Sequence, residues 1–398
     1  MSRRVCIVTG TRAEYGLLRE VVRGVRDAAE LKLQLVVTGM HLSPEFGFTI
    51  AEIEADGIPI AERVEMLLSS DSAVGVTKST GIGLIGFADS FARLQPDLVV
   101  LLGDRFEILA AASAALFARI PIAHIHGGET TEGAFDEAIR HSVTKMSHLH
   151  FVTAEPYRRR VIQLGEAPER VFTVGSLGAE AARNLALLDR HALEDSLGFG
   201  LGERNLLVTF HPPTLDETDA ARQMQAMLEA LGALGDHTHI FFTMPNADTR
   251  GRELGAMVER FVDGRANARA YQSLGQLRYL SLMALVDGVV GNSSSGVIEA
   301  PAFGVPTVNI GDRQAGRLRA PTIVDCAPHR EAIAAALEKI LSSEFRNAAT
   351  RDSSHGTGGA AAAIVRKLRE HPLDGLVKKR FHDLPRDGVN ASGSSEGL

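Results

Sequence analysis

Short, apolar, often β-branched runs alternate along the whole chain with stretches whose apolar positions recur every three or four residues. In the first half the continuous runs predict strands at residues 4–10, 31–39, 97–103, 121–126, 150–154 and 171–174. The helical periodicity predicts helices at 14–29, 77–94, 107–118 and 136–147. A strand without polar alternation is covered on both faces, and the intervening helices supply that cover. The pattern breaks at a polar stretch near 189–204 and then restarts, with strands expected at 205–210, 239–244, 268–272, 285–290 and 306–310. The expected fold class is therefore α/β, with two doubly wound, Rossmann-like domains facing a cleft. The first spans 1–185 and the second, read as the nucleotide-binding one, spans 186–375. The segment 376–398, ending in DGVNASGSSEGL, reads as a flexible tail.

A length of 398 residues agrees with two cores rather than one. The net charge of −7 and the absence of a basic run with interleaved aromatics argue against a nucleic-acid partner. Cys6 and Cys326 both lie in apolar runs and are expected to be buried free thiols. The apolar run near the N-terminus is too short for a signal-peptide core, and the apolar run at 108–118 falls well short of a membrane span. A cytoplasmic protein without membrane contact is expected.

In open parallel sheets the ligand sits beyond the carboxyl ends of the strands. The polar residues at those ends are Thr11 and Arg12, Asp104 and Arg105, His126 to Glu129, His211, Asn246, and Asn292 to Gly296. All are expected to face one cleft. The turn Gly10–Gly16 lacks the GxGxxG and GK[ST] patterns, but its backbone N–H groups and Arg12 suit an anion. In GNSSSGVIEAPAFGVP, Ser293 and Ser294 donate hydroxyls to a diphosphate at a helix N-terminus, and Glu299 is placed to accept ribose hydroxyls. Asp104 reads equally as a helix cap and as an acid or base.

The segment HIHGGETTEGAFDEAIRH gathers three histidines and four carboxylates. Helical metal ligation needs an i,i+4 histidine pair, which is missing, and no CxxC accompanies the cluster. His124 and His126 alternate along a strand and so point the same way, with His124 the deeper. Asp136 and Arg140 share a helix face, and Glu129 lies in the glycine-rich loop. Carboxylates crowded in a desolvated pocket split their pKa values into an acid and a base. The expectation is acid/base chemistry without metal.

Together GTRAEYG, LLGDRFE, HIHGGETTEGAFDEAIRH, TFHPPT, PNADTRG and GNSSSGVIEAPAFGVPTVNIGDRQAGR resemble the hydrolysing UDP-N-acetylglucosamine 2-epimerases, in order, over about residues 4–370. The resemblance implies the two-domain glycosyltransferase-B architecture. It implies nucleotide-sugar contacts from Arg12, Arg105, His211, Asn246, Ser293, Ser294, Glu299 and Arg313. The implied catalytic set is Asp104, Asp136, His126, Glu129 and His211. Many relatives carry a glutamate where this chain has His126, so that role falls to His126 or to Glu129. The implied reaction removes the C2 proton with anti loss of UDP, forms a 2-acetamidoglucal, and adds water with reprotonation on the other face. The substrate is then UDP-N-acetylglucosamine or a UDP- or GDP-linked 2,4-diacetamido relative, on the way to sialic or legionaminic acid. No cofactor is expected, and homodimers or homotetramers prevail among such enzymes. The competing readings are a retaining glycosyltransferase, a non-hydrolysing 2-epimerase and a non-catalytic sugar-binding protein. The first needs the serine loop and Glu299 but not the His126–Asp136 cluster.

Overall fold

The computed structural model describes residues 2–70, 72–212, 220–244, 251–352 and 354–384. Two wholly parallel sheets form, each wrapped by helices. The first contains β1 (Arg3–Thr9), β2 (Leu31–Thr38), β3 (Ile60–Val64), β4 (Leu98–Leu102), β5 (Ile122–Ile125), β6 (Leu149–Val152) and β7 (Val171–Thr173). The second contains β8 (Arg204–Thr209), β9 (Thr238–Thr243), β10 (Ala268–Tyr271), β11 (Gly288–Gly291), β12 (Thr307–Ile310) and β13 (Ile323–Cys326). Their orders are β3-β2-β1-β4-β5-β6-β7 and β10-β9-β8-β11-β12-β13. Each order reverses once, between β1 and β4 and between β8 and β11. A crevice opens above each reversal, because the chain leaves the two neighbouring strands in opposite directions.

Two strands escaped the apolar pattern. The first, β3, reads IAERV with every second residue more exposed, and β13 reads IVDC. Both are edge strands, covered less completely than the central ones, so their sequences need not be continuously apolar. The expected strand at 285–290 begins later, because Leu285 closes the helix Gly275–Leu285. Cys6 is buried as expected, whereas Cys326, on the β13 edge, is only half-buried.

Each sheet has a core on both faces. In the first domain Val5, Ile7, Val100 and Ile125 pack on one side, and Cys6, Val8, Val99 and Leu101 on the other. In the second, Leu206, Val208 and Val290 face one core, and Leu207, Phe241 and Val289 the opposite one.

Packing draws the chain's divisions differently from the expected 186–375. The helix Ala360–Glu370 lies against the helix Arg12–Asp27, and its Ala360, Ala361, Ile364 and Leu368 belong to the first core. Residues 376–384, expected within a flexible tail, dock there too. Leu376 is buried in the first core, and Lys379 bonds Glu166 at 2.8 and 2.9 Å and the Ser147 carbonyl at 2.6 Å. Residues 385–398 of that tail lie outside the described residues.

Candidate active site

A cavity of about 260 Å³ lies between the domains, above both strand-order reversals. It is lined from the first domain by Arg12, Asp104, Arg105, Thr131 and Asp136. From the second come His211, Ser293, Ser294, Glu299 and Arg313, together with Tyr279, Gln314 and Arg317. Of the strand-end residues expected to face one cleft, Arg12, Asp104, Arg105, His211 and Ser293 to Ser295 line this cavity, whereas Thr11, Asn292 and Gly296 do not. Asn246 lies outside the described residues. His126 and Glu129 do not line the cavity; they are buried and adjoin it through Arg317.

At the end of β1, the turn differs from the expected anion cradle. Thr11 and Glu14 form a capping box on the helix Arg12–Asp27. Glu14 Oε2 accepts from the Gly10 and Thr11 N–H groups at 2.7 and 3.2 Å, so those donors are already used. Arg12 remains the anion-seeking group, since its buried Nη1 has no hydrogen-bond partner among the described residues. Burial holds its pKa below the ordinary guanidinium value, and Glu52 partly offsets this.

At the end of β4, Asp104 does not cap the next helix. Arg105 occupies that cap position, without a side-chain cap, and Asp104 instead pairs with the Arg140 guanidinium. Arg140 is 2% exposed. It also donates to Glu129 O at 3.1 Å, Glu137 Oε2 at 3.1 Å and Thr131 Oγ1 at 2.7 Å. Burial pulls its pKa well down, with the nearby Arg317 and Arg313 adding to the effect. Asp136 opens the helix Asp136–Met146 and reaches the cavity, so Arg140, one turn on, serves Asp104 from the same helix.

The histidines part company. His124 is a core residue, its Nε2 bonded to the Gly103 carbonyl at 2.7 Å and its Nδ1 to Thr144 at 3.1 Å. β5 ends at Ile125, and His126 adopts a left-handed φ of 65°, so the expected strand alternation does not extend to it. Its Nε2 is buried without a hydrogen-bond partner among the described residues, and its Nδ1 lies 3.8 Å from Glu129 Oε1. Burial lowers the His126 pKa despite that carboxylate, which keeps the ring neutral at neutral pH. For Glu129 burial acts upward, but Arg317, His126 and His355 together outweigh it and leave the carboxyl below its usual range.

On the second domain, Asn292 stitches β11 to the end of β8 through paired bonds with the His211 backbone, 2.7 and 2.8 Å long. Its carbonyl receives Arg313 Nη1 at 3.2 Å and Gln314 Nε2 at 2.8 Å. Gly291, with φ of 132°, lets these strand ends meet, because a Cβ there would strike the Thr209 backbone. Ser293 and Ser295 share a 3.1 Å bond, and Tyr279 reaches Ser295 at 2.5 Å. The helix expected after the serines is a single turn, Ser295–Ile298, followed by a second, Ala300–Phe303. Turns this short present little macrodipole, so the groups of this loop that could meet an anion are the hydroxyls and the Arg313 guanidinium. Glu299 sits at the junction of the two turns, and a side chain on Gly178 of the facing helix would collide with it. Enclosure pushes its carboxyl up to about 7, and its Oε2 has no hydrogen-bond partner among the described residues.

The UDP-N-acetylglucosamine 2-epimerase family model matches residues 23–369. The chain belongs to this family. It is 40% identical over 385 residues to the GDP/UDP-N,N'-diacetylbacillosamine 2-epimerase (hydrolyzing) of Campylobacter jejuni, covering 96% of this chain and 99% of that one. To the UDP-N,N'-diacetylbacillosamine 2-epimerase (hydrolyzing) of Legionella pneumophila it is 34% identical, covering 95% and 98%. A crystal structure of the UDP-GlcNAc 2-epimerase of Neisseria meningitidis, bound to UDP-GlcNAc, superposes with a TM-score of 0.77 at 16% identity, over 92% of this chain and 99% of that one. That likeness carries the two-sheet, glycosyltransferase-B architecture.

Sequence reasoning missed several groups of this epimerase-family site. Tyr279 lies mid-helix and has no local signature. Arg317 ends the quoted GDRQAGR run but was given no role. His355, buried close enough to Glu129 to influence its charge, comes from the returning C-terminal segment. Among the described residues no helix is long and apolar enough to cross a membrane.

Proposed function

We propose that this chain is a hydrolysing 2-epimerase for a UDP- or GDP-linked 2,4-diacetamido sugar, with UDP-N-acetylglucosamine as a poorer substrate. The observation that carries the reading is the two-sided cavity. Arg313 and the serine hydroxyls reach it from the second domain, and the carboxylates Asp104 and Asp136 reach it from the first, where Arg12 adds a second guanidinium. A departing diphosphate needs the first set, and proton transfer at C2 needs the second. The diacetamido preference is supported by the relatives at 40% and 34% identity, both hydrolysing diacetylbacillosamine 2-epimerases. A retaining glycosyltransferase would have no use for a second, acidic wall.

In this scheme a first-domain base takes the C2 proton while the C1–O bond breaks and its electron pair leaves with the nucleoside diphosphate. The resulting glycal has a C1–C2 double bond. Water adds its oxygen to C1, and a proton returns to C2 from the opposite face. Asp104, held by Arg140, and Asp136 are the assigned proton carriers. His126, which stands where many relatives carry a glutamate, is buried outside the cavity lining and is assigned no proton transfer. His211, Arg105 and Glu299 orient the nucleotide sugar, the last through its ribose hydroxyls. A cytoplasmic, homo-oligomeric enzyme without a cofactor completes the proposal.

The test is a panel of UDP- and GDP-linked sugars turned over in D₂O without any acceptor. The expected product has manno configuration and deuterium at C2, and the diacetamido substrates react fastest. A gluco product that keeps its original hydrogen, seen by NMR, refutes elimination and re-addition.

A further inference from the structure

Beside the cavity, residues 129–133 of the first domain interlock with residues 312–318 of the second. Arg317 Nε donates to the Thr130 carbonyl at 2.8 Å, and its Nη1 lies 3.2 Å from Glu129 Oε2. Thr130 Oγ1 returns a 3.2 Å bond to the Ala315 carbonyl. The two charged side chains are 7% and 3% exposed, so water does little to screen this pair. The fit is tight as well as polar. A Cβ on Gly133 would press on Asp312 and the Arg313 backbone at 2.7 and 2.9 Å, and one on Gly316 would press on Thr130 and Glu132.

The seam joins two groups with different work. On its second-domain side, Arg313 and Gln314 line the cavity a few residues before Arg317. On its first-domain side, Thr131 Oγ1 accepts from both Arg317 and Arg140, and Arg140 holds Asp104. Glu129 has both oxygens engaged, Oε2 by Arg317 and Oε1 by Thr153 at 3.2 Å. A proton carrier must change charge during turnover. Protonating Glu129 would strand the buried Arg317 guanidinium, which is costly, whereas Arg140 keeps its Glu137 ion pair when Asp104 takes a proton.

We infer that Arg317 is a positioning residue that ties the diphosphate-facing loop to the loop carrying the acid/base groups, with Glu129 as its anchor rather than a proton carrier. The inference rests on the elimination reading above and adds a coupling between the domains that this reading does not require. In E129Q the amide oxygen still accepts from Arg317, so the anchor survives in weakened form. In R317M the fork is lost and an unpaired carboxylate remains. R317K keeps the charge but not the second arm of the contact.

The four proteins E129Q, R317M, R317K and E129Q/R317M are assayed for nucleotide release and for UDP affinity. The expected kcat losses are within about tenfold for E129Q and about 100-fold for R317M, with partial recovery in R317K and a double variant no worse than R317M. UDP affinity should stay within about threefold throughout. A kcat loss of about 10³-fold or more in E129Q, with UDP binding intact, makes Glu129 a proton carrier and overturns the inference. An R317M enzyme within about twofold of wild type, or one that loses UDP affinity as steeply as kcat, overturns it too. Hydrogen exchange of residues 126–136 gives a readout independent of turnover. UDP should protect this first-domain segment in wild type and not in R317M, and equal protection in both rejects the coupling. A wild-type protein that releases no nucleotide from any sugar sinks the functional reading, while the exchange result still judges the seam.

Discussion

Replacing Arg140 by methionine probes how the site holds Asp104. Methionine preserves most of the stem's packing in a position that is 2% exposed, so the change removes charge and hydrogen bonds rather than volume. Lost are the bonds to Glu129 O, Glu137 and Thr131, and the ion pair to Asp104. Breaking a buried pair from one side costs about 3–5 kcal/mol. The stranded partners are not sealed off, since the Asp104 and Glu137 side chains retain 20% and 24% exposure and can recruit water. The lower end, about 3 kcal/mol, is therefore expected. For a domain of this size that lowers Tm by about 6–12 °C. Turnover should fall at least ~10-fold because Asp104 loses its orientation, while UDP affinity stays within about threefold. R140K should lie between, because a point charge replaces a fork. Differential scanning fluorimetry, nucleotide-release kinetics and calorimetry with UDP give the three values. A variant melting within about 2 °C of wild type with undiminished kcat refutes the claim that this guanidinium organises the acidic wall.

The remaining predictions address the nucleotide, the pH response and the fold. Arg313→Ala and Ser294→Ala should each weaken UDP binding by about 1.5–3 kcal/mol without a change in circular dichroism, and unchanged affinities remove the diphosphate assignment. The Glu299 carboxyl, raised to about 7, is largely protonated at pH 6 and ionised at pH 8. Since only the carboxylate accepts from two ribose hydroxyls, UDP affinity should rise across that interval. The rise should be smaller in Glu299→Gln, which retains only the ligand's own titration, and equal slopes in the two proteins dismiss that role. The same group works against folding in the other direction: a carboxyl raised above its unfolded value contributes stability below about pH 4.5 and loses it as pH climbs through 7. Leu368→Ala should destabilise by about 2–5 kcal/mol and speed hydrogen exchange in β1 and the helix Arg12–Asp27, leaving β8 and β9 unaffected.

The central strands were legible because a parallel sheet buries them on both faces, which forces continuous apolar runs such as CIVT and LVVLL. β3 and β13 were not, because edge positions admit Glu62, Arg63 and Asp325. Much of the site was legible for a topological reason: residues just past strand ends converge at the order reversal whatever their spacing in sequence. The use of the Gly10–Thr11 N–H groups was also readable, since Thr11-x-x-Glu14 is a capping-box signature. The partners of Asp104 and Glu129 were not. Arg140 lies 36 residues from Asp104, and Arg317 comes from the other domain, so only the folded packing brings either to its carboxylate.

The return of the helix Ala360–Glu370 to the first core has a consequence for how the chain is made. During synthesis the first sheet emerges before the second, yet the apolar slot beside the helix Arg12–Asp27 has no occupant until the second sheet has also left the ribosome. The first domain therefore waits, partly open, while the second is translated and folds. A single cut at the crossover near residue 185 would yield one fragment with an uncovered groove and another with a stray amphipathic helix. Recombination that exchanged the first sheet between relatives would have to exchange this helix with it, so the heritable module is a discontinuous one, its two parts lying on either side of the second sheet.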